Sequence, residues 1–261
     1  MGLLSNRVSE EDLRPGDHVY SWRFAYSYAH HGIFVGDGKV IHFTRGHGQE
    51  LGTGTFFDSW LTSCRPSPRS SSSCEKCGSE KGSHGVVLSC LDCFLSGCPL
   101  YVFVYGESTT VFLAKARGGT CTLAVSDPHE IVLHRAYYLL NNGFGCYHIF
   151  RNNCEDFAMY CKTGLLILNE KTLGTSGQTV STLGAPLAAL CSSPINLLMA
   201  EPLGMALVTT GMYCLSRYFA DLGNRKDVAK VPVEALTARI SPAGSSGVLQ
   251  LEGVLNTNED E

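Results

Sequence analysis

Charged side chains are scarce in this sequence. Lysine and arginine number 20 and aspartate and glutamate 24 among 261 residues, 17% in all, with a net charge of -4. There is no basic surplus to form a broad nucleic-acid-binding surface, and no nucleic-acid partner is expected. The same scarcity of charge, beside 44% hydrophobic residues, excludes a mostly disordered or fibrous chain. Also missing is an apolar stretch near the N-terminus: residues 1–14 contain no run that reads as a secretory signal. The expected compartment is therefore cytoplasmic. Gly2 opens a start like that of N-myristoylated chains, but Asn6 stands where that motif wants Ser or Thr. No internal repeat is present. Unbroken membrane-spanning runs are absent as well. Residues 172–200 carry no Asp, Glu, Lys or Arg but are interrupted by Pro186 and Pro194, and the uncharged run 202–216 is shorter than the ~20 residues a spanning helix needs. At most a peripheral membrane contact is expected.

What the chain has in quantity is cysteine, twelve in all. Without a secretory signal, these read as metal ligands or catalytic thiols rather than a disulfide framework. Four of them form two pairs, Cys74-x2-Cys77 and Cys90-x2-Cys93, with twelve residues between the pairs. Each CxxC presents two thiolates on one turn, and tetrahedral zinc takes four. The expectation is one structural zinc on Cys74, Cys77, Cys90 and Cys93 in a zinc-ribbon-like unit, and no cofactor for catalysis. Gly78 and Gly82 allow tight turns, and Cys64, His84 and Cys98 are spare ligands. A redox dithiol pair and free thiols on a surface loop are the competing readings. No helix pattern follows either CxxC, as a thioredoxin-like site requires.

The pattern of residues divides the chain. Residues 12–168 read as one α+β domain, interrupted at 64–98 by the cysteine-rich insert, which a Ser/Pro/Arg linker at 65–73 introduces. An apolar segment at 172–220 and a flexible tail at 224–261 follow. Pro15-Gly16-Asp17 is a turn before a strand at 18–20. Ile33-Phe34-Val35 and Val40-Ile41-His42-Phe43 flank Gly36-Asp37-Gly38, a strong hairpin signal. Residues 100–105, 110–113 and 147–150 are strand-like. Asp127-Pro128-His129-Glu130 is a helix start with Asp127 as N-cap, and Gly143 is the stop. A second helix is expected from Cys154 to about Lys162, after Asn152-Asn153.

Cys154 is the candidate nucleophile. The exposed N–H groups of a helix N-terminus favour a thiolate, and a nucleophilic thiol needs a histidine to take its proton. Its bland alternative is a small buried hydrophobe. The histidines come from the hairpin, where register decides which of them share a face. With a two-residue loop Ile33 faces His42, and His31 joins it. With a three-residue loop and Gly38 as a bulge, Gly32 faces His42, and His30 joins it. Pattern alone leaves both open.

The stretch from His30 to His42, reading HHGIFVGDGKVIH, and the downstream Asn153-Cys154-Glu155-Asp156-Phe157 together resemble the lecithin:retinol acyltransferase (LRAT-like) family. Pro15-Gly16-Asp17 resembles that family's opening. The insert, the MGLLSN start and the stretch KARGGTCT at 115–122 resemble its plant branch. The resemblance implies a circularly permuted papain-like fold of the NlpC type, with an antiparallel sheet packed on helices. It also implies Cys154 as nucleophile, His30 as base and His42 as the group that orients the imidazole. The family's spacing of its two histidines selects His30 over His31, and His31 stands where the family has an aromatic residue. The implied activity is that of a thiol-dependent acyltransferase or phospholipid acyl hydrolase, working through an acyl-thioester with a lipid as acyl donor. Two other readings compete: a non-catalytic, zinc-stabilised interaction or regulatory protein that keeps the fold, and a peptidase or amidase using the same residues.

Overall fold

The computed structural model describes residues 6–23, 28–44, 74, 76–78, 84–115, 118–145, 153–167 and 202–240. The expected strand at 147–150, the linker at 65–73, Cys64, Gly82 and the run 172–200 lie outside these residues.

Aromatic and β-branched residues favour pleated backbone, and three such runs form β1 (His18–Arg23), β2 (Tyr28–Gly36) and β3 (Lys39–Thr44). β4 (Gly85–Cys90) returns from the insert, and β5 (Tyr101–Val102) closes the far edge. The five strands are antiparallel, in the order β4-β3-β2-β1-β5. At the β2–β3 turn, Asp37 and Gly38 both have positive φ, which fits a two-residue hairpin turn with Gly36 paired to Lys39. The register then shifts between Phe34 and Gly36, so that Gly32 lies opposite His42. The turn is the two-residue one, yet the register is that of the three-residue reading, because the extra residue is a bulge in β2 rather than at Gly38. Gly32 allows the strands their approach: a Cβ there would come within 2.6 Å of Val40 Cγ1 and 3.1 Å of His42 Cβ.

Side chains alternate across the sheet. Ile33, Ile41 and Phe43 pack on one face against Val132, Ala136 and Leu139 of α3 (His129–Asn142) and Phe157, Ala158 and Tyr160 of α4 (Cys154–Thr163). On the other face, Val19, Phe34 and Val40 are covered by Leu91 and Phe94 of α1 (Leu91–Leu95) and by Leu100. Arg23 of β1 locks α1 in place by donating to the carbonyls of Phe94 and Leu95 at the helix C-terminus.

Several expectations need correction. Residues 110–113 are helical, within α2 (Thr109–Ala114), because Ser108 caps the turn and Phe112 is buried. The strand expected at 100–105 is only Tyr101–Val102, with a single bridge from Val104 to Cys121. α3 starts one residue late, with Pro128 as N-cap. Asp127 is drawn away by Arg135 and Lys230, at 2.7 and 2.5 Å. A short helix does begin at the second CxxC, with Cys90 as its N-cap.

The stretch after residue 224 is not a tail throughout. β6 (Leu165–Ile167) pairs with β7 (Val228–Lys230), and Val231, Val233 and Leu236, the last two on α6 (Val233–Ile240), belong to the core. Before β7, α5 (Pro202–Ala220) rests on α2. Arg217 is buried, donates to the carbonyl of Lys115 and lies over the Phe112 ring. Among the described residues no helix is long and apolar enough to cross a membrane.

Candidate active site

α4 carries the thiol at its first residue. Asn153 caps the helix: its Oδ1 accepts from the amides of Glu155 and Asp156, at 2.9 and 3.1 Å, and Asp156 Oδ2 accepts from Asn153 N. Three amides at the helix start are thereby satisfied, and Cys154 is fixed where the helix passes the start of β2. Its Sγ is 3.0 Å from the Tyr28 hydroxyl and 3.7 Å from the Ala29 carbonyl oxygen. The thiol therefore touches the two residues that precede His30. Tyr28 and His30 lie two apart on β2 and share a face. Cys154 is fully buried.

The bulged register joins the two histidines. His30 Nε2 and His42 Nδ1 are 2.8 Å apart, with the rings edge-on at 4.8 Å. His42 Nε2 continues the chain to Ser89 Oγ at 3.0 Å. The Phe94 ring packs on both imidazoles, 5.1 Å from His30 and 5.4 Å from His42. His31 points to the opposite face. Its Nδ1 is 2.8 Å from His18 Nε2, and His18 Nδ1 is 2.7 Å from the Tyr105 hydroxyl. Stacked on Tyr20, His31 does an aromatic residue's packing work. Burial lowers both of these histidines, His31 to about 3 and His18 well below its usual value, where the neighbouring His31 and Lys162 add to the effect.

A strand-borne histidine pair precedes a helix-borne cysteine in sequence, and all three residues fall within one stretch that matches a known family. The lecithin retinol acyltransferase family matches residues 11–167. The chain belongs to that family. It is also 59% identical, over 251 residues, to Protein LEAD-SENSITIVE 1 of Arabidopsis thaliana, an alignment covering 96% of this chain and 95% of that one. This relative is a plant protein, as the insert and the N-terminal motif of this family member suggest.

Two residues at the site carry no motif. Tyr28 was accessible in principle from strand alternation, two positions before His30. Ser89 was not, since it arrives from the insert, 47 residues beyond His42.

The four thiols of the insert come together. Sγ atoms of Cys74, Cys77, Cys90 and Cys93 all lie within 4.8 Å of one another. Cys74–Cys90 and Cys77–Cys93 are each 3.9 Å. A tetrahedron with metal–sulfur bonds of about 2.3 Å has edges of about 3.8 Å, so the cluster fits a metal ion. The backbone amides of Cys77 and Lys76 pull the Cys74 thiol down to about 6. Burial pushes Cys90 and Cys93 up, and thiol neighbours add to this at Cys93. A bound cation removes that penalty by favouring thiolates. The spare ligands do not join: His84 is outside the cluster, and Cys98 is buried and disulfide-bonded.

Proposed function

We propose that this protein is a cysteine-dependent acyltransferase or acyl hydrolase acting on lipids, with a circularly permuted papain-like fold. The observation that carries the reading is the His30–His42 hydrogen bond together with a helix-capped Cys154 that touches Tyr28 and Ala29, the two residues before His30. His30 Nε2 is committed to His42, so Nδ1 takes the Cys154 proton. The thiolate attacks the ester carbonyl of the acyl donor, and the tetrahedral intermediate collapses to an acyl-thioester. His30 returns its proton to the departing alcohol. A nucleophile on the acceptor, or water, then loses a proton to His30 and attacks the thioester, and the sulfur leaves as thiolate. His42 holds the imidazole in line, and the Tyr28 hydroxyl stabilises the thiolate by donating to it. Because the thiol is fully buried, an acyl donor reaches it only after the covering chain moves aside.

The insert holds one zinc on Cys74, Cys77, Cys90 and Cys93. Four protein thiolates fill its coordination, so the ion supplies stability rather than chemistry. The exposed apolar side of α5 lies against a lipid surface, where an acyl donor resides. The name LEAD-SENSITIVE 1 specifies no reaction.

The test is acyl-enzyme trapping. Incubation with mixed phospholipids, followed by mass spectrometry of the Cys154 peptide, should show one acyl group on sulfur. Cys154→Ser should remove it, and His30→Ala should slow its formation by about 10²- to 10⁴-fold. An unmodified Cys154 peptide with every donor tried, in folded protein, means the site does not form an acyl-thioester.

A further inference from the structure

The histidine pair ends on a residue that the family-like motifs do not contain. Ser89 is buried on β4, in the segment that returns from the cysteine-rich insert. Its Oγ is 3.0 Å from His42 Nε2. We propose that Ser89 is a positioning residue for the acyl-transfer site, holding His42 in the tautomer that lets His30 act as a base. This rests on the reading of Cys154, His30 and His42 given above.

For His30 Nδ1 to accept a proton, its Nε2 must carry one and donate it to His42 Nδ1. His42 must then carry its own proton on Nε2, and that N–H points at Ser89 Oγ. In the reverse tautomer, His42 Nδ1 donates to His30 Nε2, and the proton on His30 moves to Nδ1. His30 then cannot accept from the thiol. A buried N–H without an acceptor is rarer and costlier than an unused lone pair. Removing the Ser89 oxygen therefore penalises the productive tautomer more than the reverse one. The surroundings reinforce this dependence. Phe94 packs on both rings, which restrains how far His42 can turn from Ser89.

The position of Ser89 gives the insert a part in catalysis. Ser89 immediately precedes the ligand Cys90, and Phe94 immediately follows the ligand Cys93. The same short segment thus supplies half of the metal cluster and both groups that flank the histidine pair.

The test compares Ser89→Thr with Ser89→Val, two side chains of nearly equal shape that differ in the hydroxyl. Any disturbance of packing is common to both. Acylation of Cys154 by p-nitrophenyl butyrate is followed as a burst of p-nitrophenolate, with the modified peptide identified by mass. The His42 tautomer is read from ¹⁵N NMR of histidine-labelled protein. Ser89→Thr should acylate at a rate near that of wild type, with His42 protonated on Nε2. Ser89→Val should be slower by about fivefold, with the His42 signals moved towards the Nδ1–H form. Equal rates and tautomers in the two variants, with His30→Ala still slow, overturn the role of Ser89 and leave the thiol–histidine reading standing. If wild type and His30→Ala acylate Cys154 alike, that underlying reading fails, and the role of Ser89 fails with it.

Discussion

His31 occupies a position where the family has an aromatic ring, and it behaves as one, stacked on Tyr20 with an interplanar angle of 17°. The imidazole stays neutral there at ordinary pH. Its pKa falls from 6.5 to about 3 because burial disfavours the charged form. The unfolded chain takes up that proton near pH 6.5, and the folded chain does so only near 3. Between those values the unfolded state binds more protons, so stability drops as the pH falls, by at most about 1.4 kcal/mol per pH unit from this group. His18, lowered for the same reason, adds to the loss. His31→Phe should therefore flatten the decline of melting temperature between pH 7 and 5, although His18 loses a hydrogen-bond partner and the melting temperature at pH 7 falls. Calorimetry across that range checks it, and an unchanged slope rules out His31 as an acid-sensitive group. The sequence showed His30, His31 and His42 but could not place the bulge that sorts them. Only the family's spacing pointed to the register found, because a one-residue slip reverses every side chain at no visible cost in pattern.

Among the elements, α4 was the most legible: Asn153 begins it, Gly164 ends it, and both signals are local. α2 was not, since Thr109, Thr110 and Val111 have strand-like propensity and the helix is decided by the Ser108 cap and the burial of Phe112. β7 and α6 were also hidden, because a strand whose partner is β6, separated from it by α5, leaves no short-range trace. The paired CxxC spacing pointed to the four thiols that come together, but the short helix from Leu91 that carries Cys93 was missed. Its geometry gives a direct expectation: protein purified without chelator should contain about one zinc per chain. The Cys74→Ser, Cys90→Ser double variant should contain none. Elemental analysis finding no zinc in wild type would assign the cluster to free or oxidised thiols.

At the scale of the whole molecule, α5 is anchored to its surroundings yet carries exposed apolar side chains. Arg217 and Cys214 reach α2 and the residue after it, while Leu203, Leu207, Leu215 and Phe219 are exposed at 69, 66, 49 and 67%. These four recur at multiples of four residues and line one side of the helix. If that side rests on lipid, the full-length protein should float with phosphatidylcholine–phosphatidylserine vesicles, and a Leu207→Glu, Phe219→Glu variant should remain at the bottom of the gradient. Equal flotation of the two removes α5 as the contact. Deleting the helix together with everything after it would be a poor control, since β7 and α6 would go too. Val231, Val233 and Leu236 complete the cluster that includes Val132, Leu139 and Phe157, so α3 and α4 leave the ribosome well before the residues that cover them. A nascent chain stalled after α4 would present a bare oily face, and that interval is when this protein is open to chaperones and to aggregation.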